Sequence, residues 1–221
     1  MSACFVTGSG TDVGKTFVAA ALISALRASG RACFALKPVV SGFDPAAPQA
    51  SDPCVLLEAL GLIASEEAIA QIAPWRFLAP LSPDMAAARE NRAIDYDELV
   101  RVCRRAVAAS PGVLLIEGAG GVMVPLAPGR TTLDLMTALR LPLVFVAGSY
   151  LGAISHALTG LEAARSRGLP ARAVVVNETP GSSVGLDETC AAIARYYAAP
   201  VLALRRGDDA AQALAPLAQA L

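Results

Sequence analysis

The chain has 221 residues, of which 55% are hydrophobic and only 17% charged, with a formal net charge of -1. That balance describes a well-buried globular protein and excludes a disordered one. With a pI near 5.9, it also argues against nucleic acid or an anionic membrane as the main partner. Five scattered cysteines without a C-x-x-C pair point to reduced thiols in a cytosolic protein rather than a disulfide framework or zinc site. The apolar run at residues 3–6 is too short for a signal peptide. No run approaches the roughly 18 apolar residues of a membrane span. A soluble, cytoplasmic protein is expected.

Residues 3–6 read as a short buried strand. Gly8-Ser9-Gly10-Thr11-Asp12-Val13-Gly14-Lys15-Thr16 follows, and then a helical run over 17–28 that Gly30 is placed to end. Strand, glycine loop, Gly-Lys-Thr and helix is the layout of a phosphate-binding loop. Backbone amides and the helix N-terminus meet the phosphates, Lys15 adds a full charge, and the Thr16 hydroxyl is placed to ligate Mg²⁺. One spacing is unusual, because Ser9 stands where the first glycine normally falls and Gly8 lies one residue earlier.

A second strand over 32–36 runs into Lys37-Pro38-Val39-Val40-Ser41-Gly42, and Pro38 keeps Lys37 extended. Residues 43–50 read as a loop. Ser51-Asp52-Pro53 opens a helix to about residue 60, with Ser51 or Asp52 as N-cap. Residues 74–83 hold three prolines and are expected to be irregular. Helical patterns follow over 84–90 and 96–109. The apolar strand 113–116 ends in Glu117-Gly118-Ala119-Gly120-Gly121. Next come a helix over 132–139, a strand over 143–146, a helix over 154–167 and a strand over 173–176 that ends in Asn177. A helix over 186–197, a strand over 201–204 and a terminal helix complete the chain. Solid apolar strands alternating with helices predict a mainly parallel sheet covered on both faces. The expected fold is a three-layer α/β/α sandwich of P-loop NTPase type, with residues 1–221 as one domain.

Ligands of such sheets bind beyond the carboxyl ends of the strands, where this chain places Thr7, Lys37, Glu117, Gly148-Ser149 and Asn177. Glu117 is either a Mg²⁺-associated carboxylate or a turn residue. Asp52 is a metal ligand or a plain helix N-cap, with position alone favouring neither. Lys37 is a second cation for transferred phosphoryl charge, or a solvated loop lysine. His156 takes no catalytic role.

Taken together these residues resemble the dethiobiotin synthetase family of ATP-dependent enzymes. The resemblance runs through the loop with its displaced glycine, Lys37-Pro38-Val39-Val40-Ser41-Gly42, Ser51-Asp52 and Phe77-Leu78-Ala79-Pro80-Leu81-Ser82-Pro83. It continues through Glu117-Gly118-Ala119-Gly120-Gly121, Leu151-Gly152-Ala153-Ile154-Ser155-His156 and Val176-Asn177-Glu178. It implies a cyclo-ligase that converts 7,8-diaminononanoate, CO2 (or bicarbonate) and ATP into dethiobiotin, ADP and phosphate, through a carbamate and a carbamic-phosphoric anhydride. By the same resemblance Lys37, Lys15 and Thr11 are catalytic. ATP lies against Asp12, Val13, Gly14, Lys15, Thr16, Glu117, Gly118 and Asn177. The diamine meets Ser41, Gly118, Gly152, Ala153, Ile154 and Ser155, and Thr16, Asp52 and Glu117 hold Mg²⁺. A homodimer with the substrate carboxylate at its interface is implied as well. Departures from the family pattern are Asp12 for Glu, Ser155 for Asn, and Ala203-Leu204-Arg205-Arg206 where a G-x-[IL]-P-like segment is usual.

Rival readings fit less well. A partition- or septum-positioning ATPase would carry Lys-Gly-Gly at the loop start, where Thr7-Gly8 stands. A small-molecule kinase would show an arginine-bearing lid. A cobyrinate-type amide synthase would need a glutaminase domain that this length does not hold.

Overall fold

The computed structural model describes residues 2–221. Strand β1 (Ser2–Gly8) leads through the glycine loop into α1 (Lys15–Ala28), followed by β2 (Cys33–Leu36) and β3 (Val39–Ser41). A 3-10 turn at Pro48–Ala50 precedes α2 (Asp52–Ala59), α3 (Glu66–Ile72), β4 (Trp75–Phe77), α4 (Pro83–Arg89) and α5 (Tyr96–Ala109). The second half comprises β5 (Val113–Glu117), β6 (Pro125–Ala127), β7 (Arg130–Thr131), α6 (Thr132–Leu139) and β8 (Leu143–Gly148). It ends with α7 (Ala153–Ser166), β9 (Ala171–Asn177), α8 (Leu186–Tyr196), β10 (Val201–Leu204) and α9 (Ala210–Ala220).

Local chemistry explains many of the boundaries. Asp95 accepts the Glu98 amide at 3.0 Å and starts α5, and Thr131 and Asp134 form a reciprocal capping box for α6. Past the end of α1, Gly30 takes φ 74°, the left-handed position that a glycine fills without strain. Ser51 sits at the N-cap of α2, yet its hydroxyl donates to the Pro48 carbonyl at 2.5 Å and caps no helix amide. The expected irregular stretch 74–83 contains a strand after all. Its prolines flank β4, whose own residues are free to pair in parallel with β3.

The main sheet has six strands in the order β10-β9-β8-β1-β5-β2, all parallel. Alternate side chains enter two cores. Phe5, Leu114, Ile116, Phe145, Val174 and Val176 face the layer of α5, α6, α7 and α8. Cys4, Val6, Leu115, Val144, Val146 and Val175 face α1, α2 and α9. Each Val, Leu or Phe removed from water contributes about 1.5–3 kcal/mol, so the strand ends stand on a rigid platform. A smaller cluster of Val40, Phe43, Cys54, Leu57, Ile69 and Ala73 anchors the segments that carry Ser41 and Asp52. The three-layer sandwich is the architecture observed.

Candidate active site

β1 ends against β8 so closely that a Cβ on Gly8 would stand 2.6 Å from the Val146 carbonyl oxygen. The displaced glycine therefore serves strand packing. Ser9 then donates its amide to that same carbonyl at 2.9 Å. The loop turns through Asp12 (φ 57°) and Gly14 (φ 86°) into α1. Asp is one of the few side chains that tolerate the left-handed region. Lys15 is buried at the start of α1 and donates to the Gly10 carbonyl at 2.6 Å. Burial, and then the nearby Lys37 ammonium, pull its pKa down to about 8 against the opposing pull of Glu117, Asp52 and Asp12. An under-compensated buried cation inside a ring of amides favours an arriving anion.

The second cation lies beside it. Lys37 ends the extended run after β2 and pairs with Glu117 and, at 2.8 Å, with Asp52 Oδ2. It also lies 3.4 Å from the Gly118 carbonyl oxygen. The Lys37 and Glu117 side chains are 4% and 1% exposed. Burial would depress the Lys37 pKa, but Glu117 and Asp52 outweigh it and hold the value above that of an ordinary lysine. For Asp52, burial pushes upward, while the Lys37 charge and the Lys37 and Thr16 hydrogen bonds prevail and hold the carboxyl below its usual range. Thr16 Oγ1 donates to Glu117 Oε1 at 2.8 Å. Thr16, Lys37, Asp52 and Glu117 thus form one cluster, drawn from four separate segments.

Among the described residues, the buried side-chain atoms without a hydrogen-bond partner are Thr7 Oγ1, Ser9 Oγ, Ser41 Oγ, Glu117 Oε2 and Asn177 Oδ1. All of them lie in the loop or at the carboxyl end of a strand. Buried polar atoms left unpaired are costly, so their convergence marks a place that a polar ligand completes. The Asn177 Nδ2 group is already committed to the Val13 and Gly14 carbonyls at 2.6 and 3.4 Å. Only its acceptor remains. Glu117 Oε2, Asp52 and the Thr16 hydroxyl are hard oxygen donors of the kind Mg²⁺ takes.

Beyond Asn177 opens a cavity of about 340 Å³ lined by Asp12–Gly14, Phe17, Asn177–Pro180 and Leu204–Gly207. Phe17 and Gly207 were not among the sequence candidates, and residues 204–206 were singled out only as a departure from the family pattern. The signal available for them was the polar Arg205-Arg206-Gly207 at a strand end, which the expected G-x-[IL]-P-like segment obscured. Arg205 pairs with both Asp187 carboxylate oxygens at 2.6 and 2.7 Å, and the Arg206 amide donates to Glu178 at 2.8 Å. Thr11 and Asp12 form the exposed rim of the loop.

Gly152, Ala153, Ile154 and Ser155 begin α7 beyond the carboxyl end of β8. Gly152 is the N-cap at φ 95° and offers no side-chain cap. Ala153 already donates its amide to the Tyr150 carbonyl at 2.9 Å. This turn makes no hydrogen bond to the Lys15–Lys37–Glu117 cluster among the described residues.

Comparison with known proteins places this geometry. A family profile described as an AAA domain matches residues 2–204. The ATP-dependent dethiobiotin synthetase BioD of Methylobacterium nodulans is 51% identical over 212 residues, covering 94% of each chain. The protein of the same name from Caulobacter vibrioides strain NA1000 is 47% identical over 211 residues, covering 95% of this chain and 94% of that one. Among solved structures, the septum site-determining protein MinD of Pyrococcus horikoshii OT3, complexed with Mg-ADP, superposes with TM-score 0.59 at 13% identity, covering 99% of this chain and 95% of that one. The signal recognition particle receptor FtsY of Elizabethkingia anophelis gives 0.54 at 15% identity, and the match covers 91% of this chain and 58% of that one. At such identities the two structures share the fold alone.

Proposed function

The chain belongs to the ATP-dependent dethiobiotin synthetase family, and from that premise we propose how its residues divide the family's reaction. The reaction is carboxylation and ring closure of 7,8-diaminononanoate with CO2 and ATP, giving dethiobiotin, ADP and phosphate in biotin biosynthesis. An amine nitrogen of the substrate attacks CO2 and loses a proton, forming a carbamate. A carbamate oxygen then takes the γ-phosphoryl group and ADP leaves. The second amine attacks the carbonyl carbon, and phosphate departs as the urea ring closes.

One observation carries this reading: the buried ammonium of Lys37, held at the mouth of the phosphate loop by Glu117 and Asp52. Two anions must meet for the carbamate to reach the γ-phosphate, and cations aimed at the shared charge lower that barrier. Lys15 and the amides of Asp12 to Thr16 hold the phosphates, with Thr11 on the rim beside the γ position. Lys37 bridges carbamate and γ-phosphate. Ser41, whose buried hydroxyl is unpartnered, and Gly118 receive the diamine. Asn177 offers its free Oδ1 to the nucleotide base. Thr16, Asp52 and Glu117 suit Mg²⁺, which when bound neutralises phosphate charge during transfer.

The substrate carboxylate is assigned to the start of α7. Because Ala153 donates to Tyr150, the capping role there falls to the Gly152 and Ile154 amides and to Ser155. A homodimer completes this end. Leu151, 86% exposed beside Gly152, and the exposed Met123 are large apolar side chains that a second copy would cover. Residues 1–221 act as one catalytic domain, and the enzyme works in the cytoplasm.

Purified protein should form ADP only when diaminononanoate and bicarbonate are both present. Each substrate is omitted in turn while ADP release is followed. ATP turnover of comparable rate without the diamine would overturn the ligase reading in favour of a nucleotide switch.

A further inference from the structure

We propose that Phe17 is the apolar wall on which the nucleotide base packs, a determinant of nucleotide affinity on this chain. The inference rests on the nucleotide reading above and adds a residue to it. Phe17 directly follows Thr16 in α1. Thr16 turns toward Glu117, while Val18 and Ala19 are fully buried in the core. Successive helical residues are rotated by about 100°, so Phe17 emerges on the flank facing the cavity it lines with Asn177, Leu204 and Arg206.

The residue is 54% exposed, whereas Phe5, Phe77 and Phe145 are fully buried. A large apolar ring left open in a cavity of about 340 Å³ has unused contact surface, and the flat face of a heterocyclic base complements it. The two readouts are separate. Asn177 Oδ1, buried and unpartnered, accepts from a base edge that carries an N–H donor, while Phe17 meets the base face and does not read its identity. Phosphate binding rests on Lys15 and the loop and gains nothing from the ring.

Calorimetry with ADP and with inorganic tripolyphosphate tests this division. Phe17→Ala should weaken ADP roughly tenfold and leave tripolyphosphate affinity unchanged. Phe17→Trp should hold ADP within about twofold of the wild type and show Trp emission quenched by ADP but not by tripolyphosphate. Equal ADP affinity in Phe17→Ala and wild type overturns the proposal while the nucleotide site stands. So does a parallel loss of tripolyphosphate, which would mean that the ring merely supports the loop. A wild-type protein that binds neither ligand would instead overturn the nucleotide reading itself.

Discussion

The two ends of the site, the Lys37 cluster at the phosphate loop and the cavity beyond Asn177, are built to different standards. Around the phosphate loop, Lys37, Thr16 and Glu117 are tied together, Lys15 beside them is held by the Gly10 carbonyl, and two of the side chains, Lys37 and Glu117, are nearly sealed from solvent. The cavity beyond Asn177 is lined by the loops after β9 and β10 together with Asp12–Gly14 and Phe17, and the ion pair at its edge, Arg205 with Asp187, is at the surface. Buried charges hold their geometry because releasing one leaves the other unpaired. Exposed pairs are screened and exchange freely with water. The charged cluster therefore sits where the protein is stiff.

Removing Lys37 attacks the stiff end most directly. Lys37→Ala should lower kcat by at least about 100-fold while ADP affinity changes little, as measured by steady-state kinetics and calorimetry. It also leaves Glu117 buried without its counter-charge, a loss of about 3 kcal/mol or more in stability. Millimolar Mg²⁺ should restore part of the lowered Tm in this variant and move the wild type less. Wild-type turnover in Lys37→Ala would remove the residue from the mechanism.

Alkali challenges the platform beneath both ends. Burial pushes the Cys4 and Cys103 thiols up to about 12, Cys4 despite the opposing charge of Arg172 and Cys103 despite a backbone hydrogen bond. Unfolded thiols titrate near 9. Between these values the native state keeps protons that the unfolded state releases, so stability falls as pH rises from about 9 toward 12. Urea midpoints across that range should decline, and less steeply in the Cys4→Ala/Cys103→Ala variant. Because both ends stand on one sheet, ADP binding and turnover should vanish together. An unchanged slope in the double variant would assign the decline to other groups.

The smallest effect is expected at the loop end. Arg205→Ala should change ADP affinity by no more than about twofold, checked by the same calorimetry. A tenfold loss would show that the loops after β9 and β10 are as rigid as the phosphate cluster.

Much of this was legible in one dimension, and the legible parts share a cause. Residues 96–109, 132–139 and 201–204 form elements with the expected bounds, because Asp95 and Thr131 mark the helix starts and the last strand is a plain apolar run. Trp75–Phe77 was not legible. Its pairing with Val39–Ser41 depends on a partner more than thirty residues away, and the neighbouring prolines signalled only disorder of pattern. Asp52 shows the same limit within the site. By position alone it reads equally well as a cap or a ligand; the structure puts Ser51 at the N-cap and brings Asp52 to 2.8 Å from Lys37 and into hydrogen bonding with Thr16.

By itself the sequence determined the phosphate loop, the alternation of strands and helices, and the family, because each is written in contiguous residues whose backbone and side-chain needs are local. The tertiary structure decided that Lys37 meets Glu117 across 80 residues, that Gly8 serves packing against Val146, and that Phe17 opens onto the cavity beyond Asn177. Strand order and burial bring such distant groups together. Neither is encoded at any single position, since both follow from which apolar faces close on one another.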